Sequence, residues 1–107
     1  MTILLTQEVL ARLPPLYGTE HLPTPDKVAQ AKLFTPWTGW SWYVVEYDPA
    51  DRIAFGYVIG LEAEFGYFSL DELEAVRGPG GLRVERDVHF QPIRLGDIPD
   101  IDLSTST

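Results

Sequence analysis

Two pairs of carboxylates are spaced so that both members of a pair point to one side of a strand. Glu62 and Glu64 form one pair, and Glu85 and Asp87 form the other. Side chains two residues apart in an extended chain lie about 6–7 Å from each other, a distance at which two carboxylates can flank a divalent ion or a scissile bond. The commonest nuclease core, Asp followed by Glu-x-Lys, is missing. We therefore interpret Glu62 and Glu64 as solvent-facing residues of a hairpin and assign no metal ligands and no catalytic residues.

Most other catalytic signatures are excluded by the sequence. It contains no cysteine, which rules out disulfides, thiolate metal sites and cysteine nucleophiles. His21 and His89 lack zinc-motif spacing, and neither G-x-S-x-G nor S-x-x-K occurs. The glycine-rich stretch at 78–81 resembles a phosphate loop, but it follows a predicted helix and lacks the Lys-Ser/Thr that should come next. We expect no cofactor, and an enzyme is the less favoured class.

Aromatic residues crowd a short stretch before the middle of the chain: Trp37, Trp40, Trp42 and Tyr43. Proteins that bind single-stranded nucleic acid use such runs to stack bases, with basic residues interleaved. No basic residue lies between Thr35 and Asp51. A role in the core or at a protein interface is therefore favoured, and Trp37 and Trp40 are our candidate aromatic anchors for a partner.

The charge is strongly unbalanced. The chain has 16 acidic and 8 basic residues, a formal net charge of −8, and residues 46–74 alone contain eight acids and one base. Proteins that bind phosphates need clustered Lys and Arg, so we expect no direct binding to duplex DNA. Such a surface either keeps a small domain soluble or competes for the basic groove of a partner. For the second case, the candidate partner-binding acids are Glu46, Asp48, Asp51, Glu62 and Glu64.

Capping signals predict two short helices. Thr6 is a suitable N-cap for a helix over Gln7 to Leu13, and Ser69-x-x-Glu72 has the spacing of a capping box. The loop from Leu16 to Pro25 has no apolar period. Its expected anchors on the domain are Tyr17, His21 and Leu22.

Alternating aromatic and β-branched residues predict strands. The segment from Val28 to Thr35 suits a helix or a strand, and we favour a strand because it is short and ends against Pro36. Gly56 and Gly60 indicate bulges or close backbone approach. The predicted strands are Val28–Thr35, Trp40–Tyr47, Ile53–Leu61, Glu64–Phe68 and Arg83–Phe90. The expected core residues are Val44, Phe55, Val58, Phe68, Leu73, Val76, Val88 and Phe90.

This order of elements predicts a single α+β domain over residues 1–107, with a mainly antiparallel sheet of four to five strands and two short helices on one side. Residues 1–5 and 97–107 are expected to be frayed tails. No apolar run approaches the roughly 18 residues of a membrane span, and the first residues lack the basic start of a signal peptide. We therefore expect a cytoplasmic protein with no membrane partner.

Several short motifs occur in order between about residue 4 and residue 95. They are Leu13-Pro14-Pro15-Leu16-Tyr17, Glu20-His21, Phe34-Thr35-Pro36, Trp40-Ser41-Trp42-Tyr43, the run from Phe65 to Leu73, Val76-Arg77-Gly78 and the run from Leu82 to Asp87. Together they resemble the small bacterial proteins grouped as domain of unknown function 2958. The resemblance implies a gene carried by plasmids, integrative elements or prophages, and some members carry an unconfirmed label of single-stranded DNA endonuclease. It implies no catalytic residues.

In that setting a small acidic protein is expected to act as DNA mimics do, in the manner of anti-restriction and anti-CRISPR proteins. We therefore expect a non-enzymatic binding protein that inhibits or regulates a nucleic-acid-handling defence or replication complex. The alternative is a metal-dependent single-stranded DNA endonuclease or a DNA-processing accessory protein. Its DNA would have to be held by Arg77, Arg83, Arg86 and Arg94, and we expect no cleavage with Mg²⁺ or Mn²⁺.

Overall fold

The computed structural model describes residues 4–103. Within that range there are two α-helices, α1 (Gln7–Arg12) and α2 (Leu70–Ala75), and seven strands. The strands are β1 (Val28–Ala29), β2 (Ala31–Phe34), β3 (Ser41–Asp48), β4 (Ile53–Ile59), β5 (Ala63–Ser69), β6 (Glu85–Arg86) and β7 (Ile93–Arg94). None of the helices in this range is long and apolar enough to cross a membrane.

Five strands form one antiparallel sheet in the order β5-β4-β3-β2-β6, and β1 pairs with β7 in a separate two-stranded sheet. The predicted α+β fold is confirmed, and so is the preference for strand between Val28 and Thr35, although that segment divides into β1 and β2. The predicted caps are confirmed as well. Thr6 Oγ1 accepts from the Val9 amide and Ser69 Oγ accepts from the Glu72 amide, which satisfies amides that a helix leaves unpaired in its first turn.

A β-bulge interrupts the pairing of the two longest strands. The register pairs Val44 with Gly56 and Glu46 with Phe55, so Val45 is the extra residue. The sequence predicted irregularity at Gly56, and the bulge lies in the strand that faces it. A Cβ on Gly56 would come within 1.7 Å of the Tyr43 carbonyl oxygen, so only glycine fits this close approach. The bulge reverses which side of the sheet each later residue of β3 faces.

Both faces of the sheet are covered. On the helix face, Trp42, Val44 and Tyr47 of β3 pack with Leu70 and Leu73 of α2 and with residues of α1. On the opposite face, Tyr43 and Val45 pack with Tyr57 and with the segment that follows β7. The central strand β3 is therefore buried on both sides, and its burial shows no alternation.

The described parts of both predicted tails pack instead of fraying. Leu4 and Leu5 are buried on the helix face, and Ile98 and Ile101 are buried on the opposite face. The reason is that the sheet has a second apolar face, which the C-terminal segment covers. Residues 1–3 and 104–107 of the predicted tails lie outside the described residues.

The last predicted strand is mostly wrong. Only Glu85 and Arg86 form a strand on β2, the Asp87 amide makes one more hydrogen bond to the Lys32 carbonyl, and the chain then leaves the sheet through a turn. Val88 is therefore 66% exposed, and Val84, at 2%, is the buried residue of this segment. The other expected core residues are buried or half-buried: Val44, Phe55, Val58, Phe68, Leu73, Val76 and Phe90.

Candidate partner-binding site

Glu46 is buried and bonded within the chain, although the sequence placed it on an exposed partner-binding surface. Only 3% of the residue is exposed. Its carboxylate accepts hydrogen bonds from the backbone amides of Tyr17, at 2.8 Å, and Thr19, at 3.0 Å, and from the Thr19 hydroxyl. Because the buried carboxylate accepts three hydrogen bonds from this loop, it holds the loop that precedes β1 in place.

That loop is held mainly through its backbone. The Lys27 ammonium donates to the Thr19 carbonyl and so holds the end of the loop that leads into β1. Tyr17 has a φ of 68° and is 61% exposed, but its amide bonds to Glu46 and its ring centroid lies 6.5 Å from that of Tyr67. Tyr17 is therefore one of the anchors, His21 is exposed and is not, and Leu22 is half-buried.

Asp48 is the last residue of β3, and Asp51 lies in the turn between β3 and β4. Asp48 Oδ1 accepts from the Ala50 amide at 3.0 Å and so helps to shape the turn, whereas Asp51 is exposed. The neighbouring Arg52 pairs with Asp71 and Glu74 of α2, and its hydrogen bond holds the pKa of Glu74 below its ordinary value. Part of the negative charge at this end of the sheet is thereby compensated internally.

Three of the predicted site residues meet at the other end of β4, roughly 20 Å away along the strand. Trp40, Glu62 and Glu64 line a groove of about 330 Å³, which we call the tip groove. Its lining residues are Trp40, Trp42, Val58, Leu61, Glu62, Glu64, Phe65, Gly66, Tyr67 and Phe68. They come together because β3 begins beside the end of β4, where Ser41 pairs with Ile59.

The tryptophans form an aromatic wall of the tip groove. The ring of Trp40 lies against Gly60, where a Cβ would come within 2.4 Å of it, and the ring centroids of Trp40 and Trp42 are 5.9 Å apart. Leu61 is 94% exposed at the hairpin tip. Gly66 leaves the floor open, since a Cβ there would meet nothing within 4 Å.

The chemistry of the tip groove suits a cationic guest. Indole faces attract ammonium and guanidinium groups, and the two carboxylates can accept charge-assisted hydrogen bonds from the same groups. Within residues 4–103, no Lys or Arg nitrogen lies within 4 Å of either Glu62 or Glu64. The negative charge of the tip groove is therefore available to a partner.

Trp37 lies apart from the tip groove. Its ring covers Gly78 so closely that a Cβ there would come within 2.5 Å of the indole. The residue is half-buried, and its contact holds the chain that follows α2 against the turn that precedes β3. Sequence composition could not show that Trp37 and Trp40 have different roles. Their roles differ because the Trp37 ring packs on Gly78, after α2, whereas the Trp40 ring packs on Gly60, at the tip groove.

The basic residues are engaged mostly within the chain. Seven of the eight bond to groups of this protein: Arg12, Lys27, Lys32, Arg52, Arg77, Arg83 and Arg94. Three of the four arginines proposed to hold DNA in an endonuclease are among them. Residues 4–103 contain no group of three or more His, Asp and Glu side chains placed to hold a metal ion. The expected lack of DNA cleavage stays a prediction.

The sequence model of one protein family covers most of the chain. The family is described as a protein of unknown function (DUF2958), and the match extends over residues 4–96. The chain therefore belongs to this family, as its ordered motifs indicated. Comparison with curated proteins and with solved structures gave no significant match.

Proposed function

We propose that this protein is a small, acidic, non-enzymatic binding protein that inhibits or regulates a nucleic-acid-handling complex by occupying a basic surface of that complex. The observation that carries the proposal is the tip groove. There Glu62 and Glu64 stand beside the exposed indole of Trp40, with no cation of the described residues to compensate them.

The physical basis is the imbalance between engaged cations and exposed anions. Because four of the eight basic side chains, Arg12, Lys32, Arg52 and Arg94, form ion pairs within the chain and the net charge is −8, the exposed carboxylates set the field that a partner meets. Carboxylates fixed on strands present negative charge to a Lys- and Arg-lined groove without bases and without a cleavable backbone. Association driven by such charge is fast and weakens as salt is added.

The kind of partner follows from the same chemistry. A groove lined with Lys and Arg is the surface that proteins use to hold phosphate backbones. Defence and replication complexes carry such grooves, and a protein of the anti-restriction or anti-CRISPR type would compete for them. A cytoplasmic location and a gene on a mobile element are part of this proposal.

The test is affinity capture from the native bacterial host, followed by mass spectrometry. The wild-type chain is compared with the triple variant Asp51→Lys/Glu62→Lys/Glu64→Lys. A control with the same change in net charge, Glu8→Lys/Glu85→Lys/Asp97→Lys, alters exposed acids outside residues 46–74.

We expect the wild type and the control to recover a nucleic-acid-handling complex, and the first variant to lose at least roughly tenfold in capture, with a weaker dependence on salt. Recovery of no such complex by the wild type would contradict the proposal. Equal losses in both variants would also contradict it, because net charge and not the named surface would then govern binding.

A further inference from the structure

Strand β5 is a long edge of the sheet that pairs on one side only. Among the described strands it pairs with β4 alone, and it extends over seven residues, whereas β6 at the opposite edge has two. Natural proteins usually protect such edges with proline, lysine or a bulge. The sequence AEFGYFS of β5 contains no proline and no lysine, and its one charge is Glu64.

Hydrogen bonds at the two ends of the β4–β5 hairpin show which backbone groups face outward. The Gly60 amide donates to the Glu62 carbonyl, and the Leu70 amide donates to the Arg52 carbonyl. With the observed register, these bonds make Gly56 and Gly66 a hydrogen-bonded pair. It follows that Glu64, Gly66 and Phe68 of β5 bond inward to β4.

The amides and carbonyls of Phe65 and Tyr67 consequently point away from the sheet, where an added strand would find them. The two faces beside this edge differ in character. On the helix face, Gly66 leaves an opening in the tip groove between Glu64 and Phe68. On the opposite face, Phe65 and Tyr67 pack against Phe55, with ring centroids 5.9 and 5.0 Å apart.

We infer that the edge of β5 binds an extended, basic segment of the partner as a sixth strand, with one Arg or Lys side chain of that segment in the tip groove. This inference rests on the proposed function and names the element that does the binding. Side chains of an added strand alternate between the two faces, so cations would alternate with apolar residues that cover Phe65 and Tyr67.

Charge complementarity selects this occupant over a second copy of the chain. A β5–β5 contact would bring together two proteins that each have a net charge of −8, and each would bring its own Glu64 to the interface. A cationic strand instead meets Glu62, Glu64 and the face of Trp40 at once.

The experiment uses a seven-residue peptide of alternating Arg and Val with blocked ends, and amide hydrogen exchange of the full chain measured by NMR. Without peptide, we expect the outward amides of Phe65 and Tyr67 to exchange fast and those of Glu64, Gly66 and Phe68 to exchange slowly. Saturating peptide should slow Phe65 and Tyr67 at least roughly tenfold, because they gain acceptors. No slowing would overturn the inference, and so would slow exchange already present in the free chain, which indicates pairing between copies.

Peptide variants separate strand addition from simple charge attraction. N-methylation of one alternate set of peptide amides should weaken binding at least roughly tenfold, and N-methylation of the other set should leave it unchanged, since only one set faces β5. Peptide with Glu in place of Arg should not bind. Equal affinities for the two N-methylated peptides would overturn the inference.

A protein variant tests the tip groove itself. Gly66→Ile places its Cβ where no other atom lies within 4 Å, so it should fill the opening and lower peptide affinity at least roughly tenfold, with an unchanged melting temperature. The control Ala50→Ile, in the exposed turn between β3 and β4, should bind as the wild type does. Unchanged affinity in Gly66→Ile would overturn the placement of the cation.

The two proposals can fail separately. If the peptide tests fail, the strand-addition inference is overturned, but the affinity capture can still support the proposed function. If the affinity capture fails, the proposed function is overturned, but the peptide tests can still show that β5 binds a basic strand.

Discussion

Glu46 and Glu64 illustrate two uses of the same residue type. The carboxylate of Glu46 accepts hydrogen bonds from donors of one loop, so it stabilises the position of that loop and does not face a partner. Glu64 is exposed on the edge strand, and its charge is available to a partner. Removal of Glu46 would leave two amides without their acceptor, whereas removal of Glu64 would leave the fold unchanged.

Tyr43 is the residue whose ionisation the fold opposes most clearly. It is 1% exposed, and its hydroxyl lies 3.4 Å from Asp100 Oδ2. Burial is the main cause that raises its pKa to about 12, and the negative charges of Asp100 and Asp87 add to the effect. Lys32 lies nearby, 3.9 Å from Asp100 and 5.5 Å from the centre of the Tyr43 ring.

This pKa predicts a loss of stability in alkali. Because the pKa is raised in the folded state above the ordinary value of about 10, the folded chain keeps the proton that the unfolded chain releases. The free energy of unfolding should therefore fall by about 2–3 kcal/mol as the pH rises from about 10 to about 12. Urea unfolding of the wild type and Tyr43→Phe across this range tests it, since the variant should lack that loss. Parallel pH profiles would contradict the assignment.

Local signals at the residue scale predicted the caps and the strand composition well. Thr6 and Ser69 cap their helices because a cap needs only its own side chain and an amide three residues on. The burial of Glu46 could not be predicted in this way. It depends on the extra residue opposite Gly56, and therefore on a strand pairing that no local pattern encodes.

At the scale of elements, the segment around β6 gives the sharpest disagreement between pattern and structure. Its alternation from Val84 to Phe90 is that of a strand, yet it pairs with β2 only at Leu33 and Phe34, although Lys32 and Ala31 continue β2 beyond that point. The pairing ends because the chain turns at Asp87, whose Oδ1 accepts from the His89 amide at 2.9 Å and whose carbonyl accepts from the Phe90 amide at 3.2 Å. A period of two indicates strand propensity, but a local turn can end the pairing.

Two substitutions in this segment should have opposite outcomes. Val84→Asp places an unpaired charge among buried residues of the helix face and should cost at least about 3 kcal/mol of the free energy of unfolding. Val88→Asp, which the strand pattern alone would mark as destructive, should stay within about 0.5 kcal/mol of the wild type. Thermal or urea unfolding measures both. If the Val88→Asp variant fails to fold, the result would support the strand that the sequence predicts over Arg83–Phe90.

The tip groove also belongs to the scale of elements. The sequence singled out Trp40, Glu62 and Glu64 one by one, from residue type and local charge. Their proximity follows from the register that places Ser41 opposite Ile59, which brings the turn before β3 beside the β4–β5 turn. The same register places Glu62 and Glu64 at the opposite end of β4 from Asp48 and Asp51. From the sequence, these four acids form one group because all of them lie within residues 46–74.

At the scale of the whole molecule, the sheet is the middle of three layers. Over residues 95–102 the C-terminal segment forms a short 3₁₀ turn at Leu95–Asp97 and no α-helix or β-strand, yet it contributes three buried residues to the core opposite the helices. Its polar composition concealed this, because Ile98 and Ile101 lie among Pro and Asp residues. Their spacing of three also occurs on a helix face, but the run is too short and too polar for the pattern to predict an element.

The third layer gives a prediction for stability. Ile98→Ala and Ile101→Ala should each lower the free energy of unfolding by about 2–4 kcal/mol, because each leaves a cavity against the sheet. Pro99→Ala, exposed between them, should cost less than about 1 kcal/mol. Urea unfolding with a common slope compares the three variants. Neutral effects at both isoleucines would mean that the segment is a frayed tail after all.

The bulge at Val45 lets two consecutive residues of β3 lie on the same side of the sheet. Val44 and Tyr47 belong to the core beneath the helices, whereas Val45 and the carboxylate of Glu46 both lie on the opposite side. If β3 kept all its residues but alternated regularly, Glu46 would turn beneath the helices and the Tyr47 ring would leave that layer. Deletion of Val45 would instead keep Glu46 and Tyr47 on their present faces and remove one buried side chain. The extra residue thus allows a carboxylate that holds a loop to follow a buried valine within one central strand.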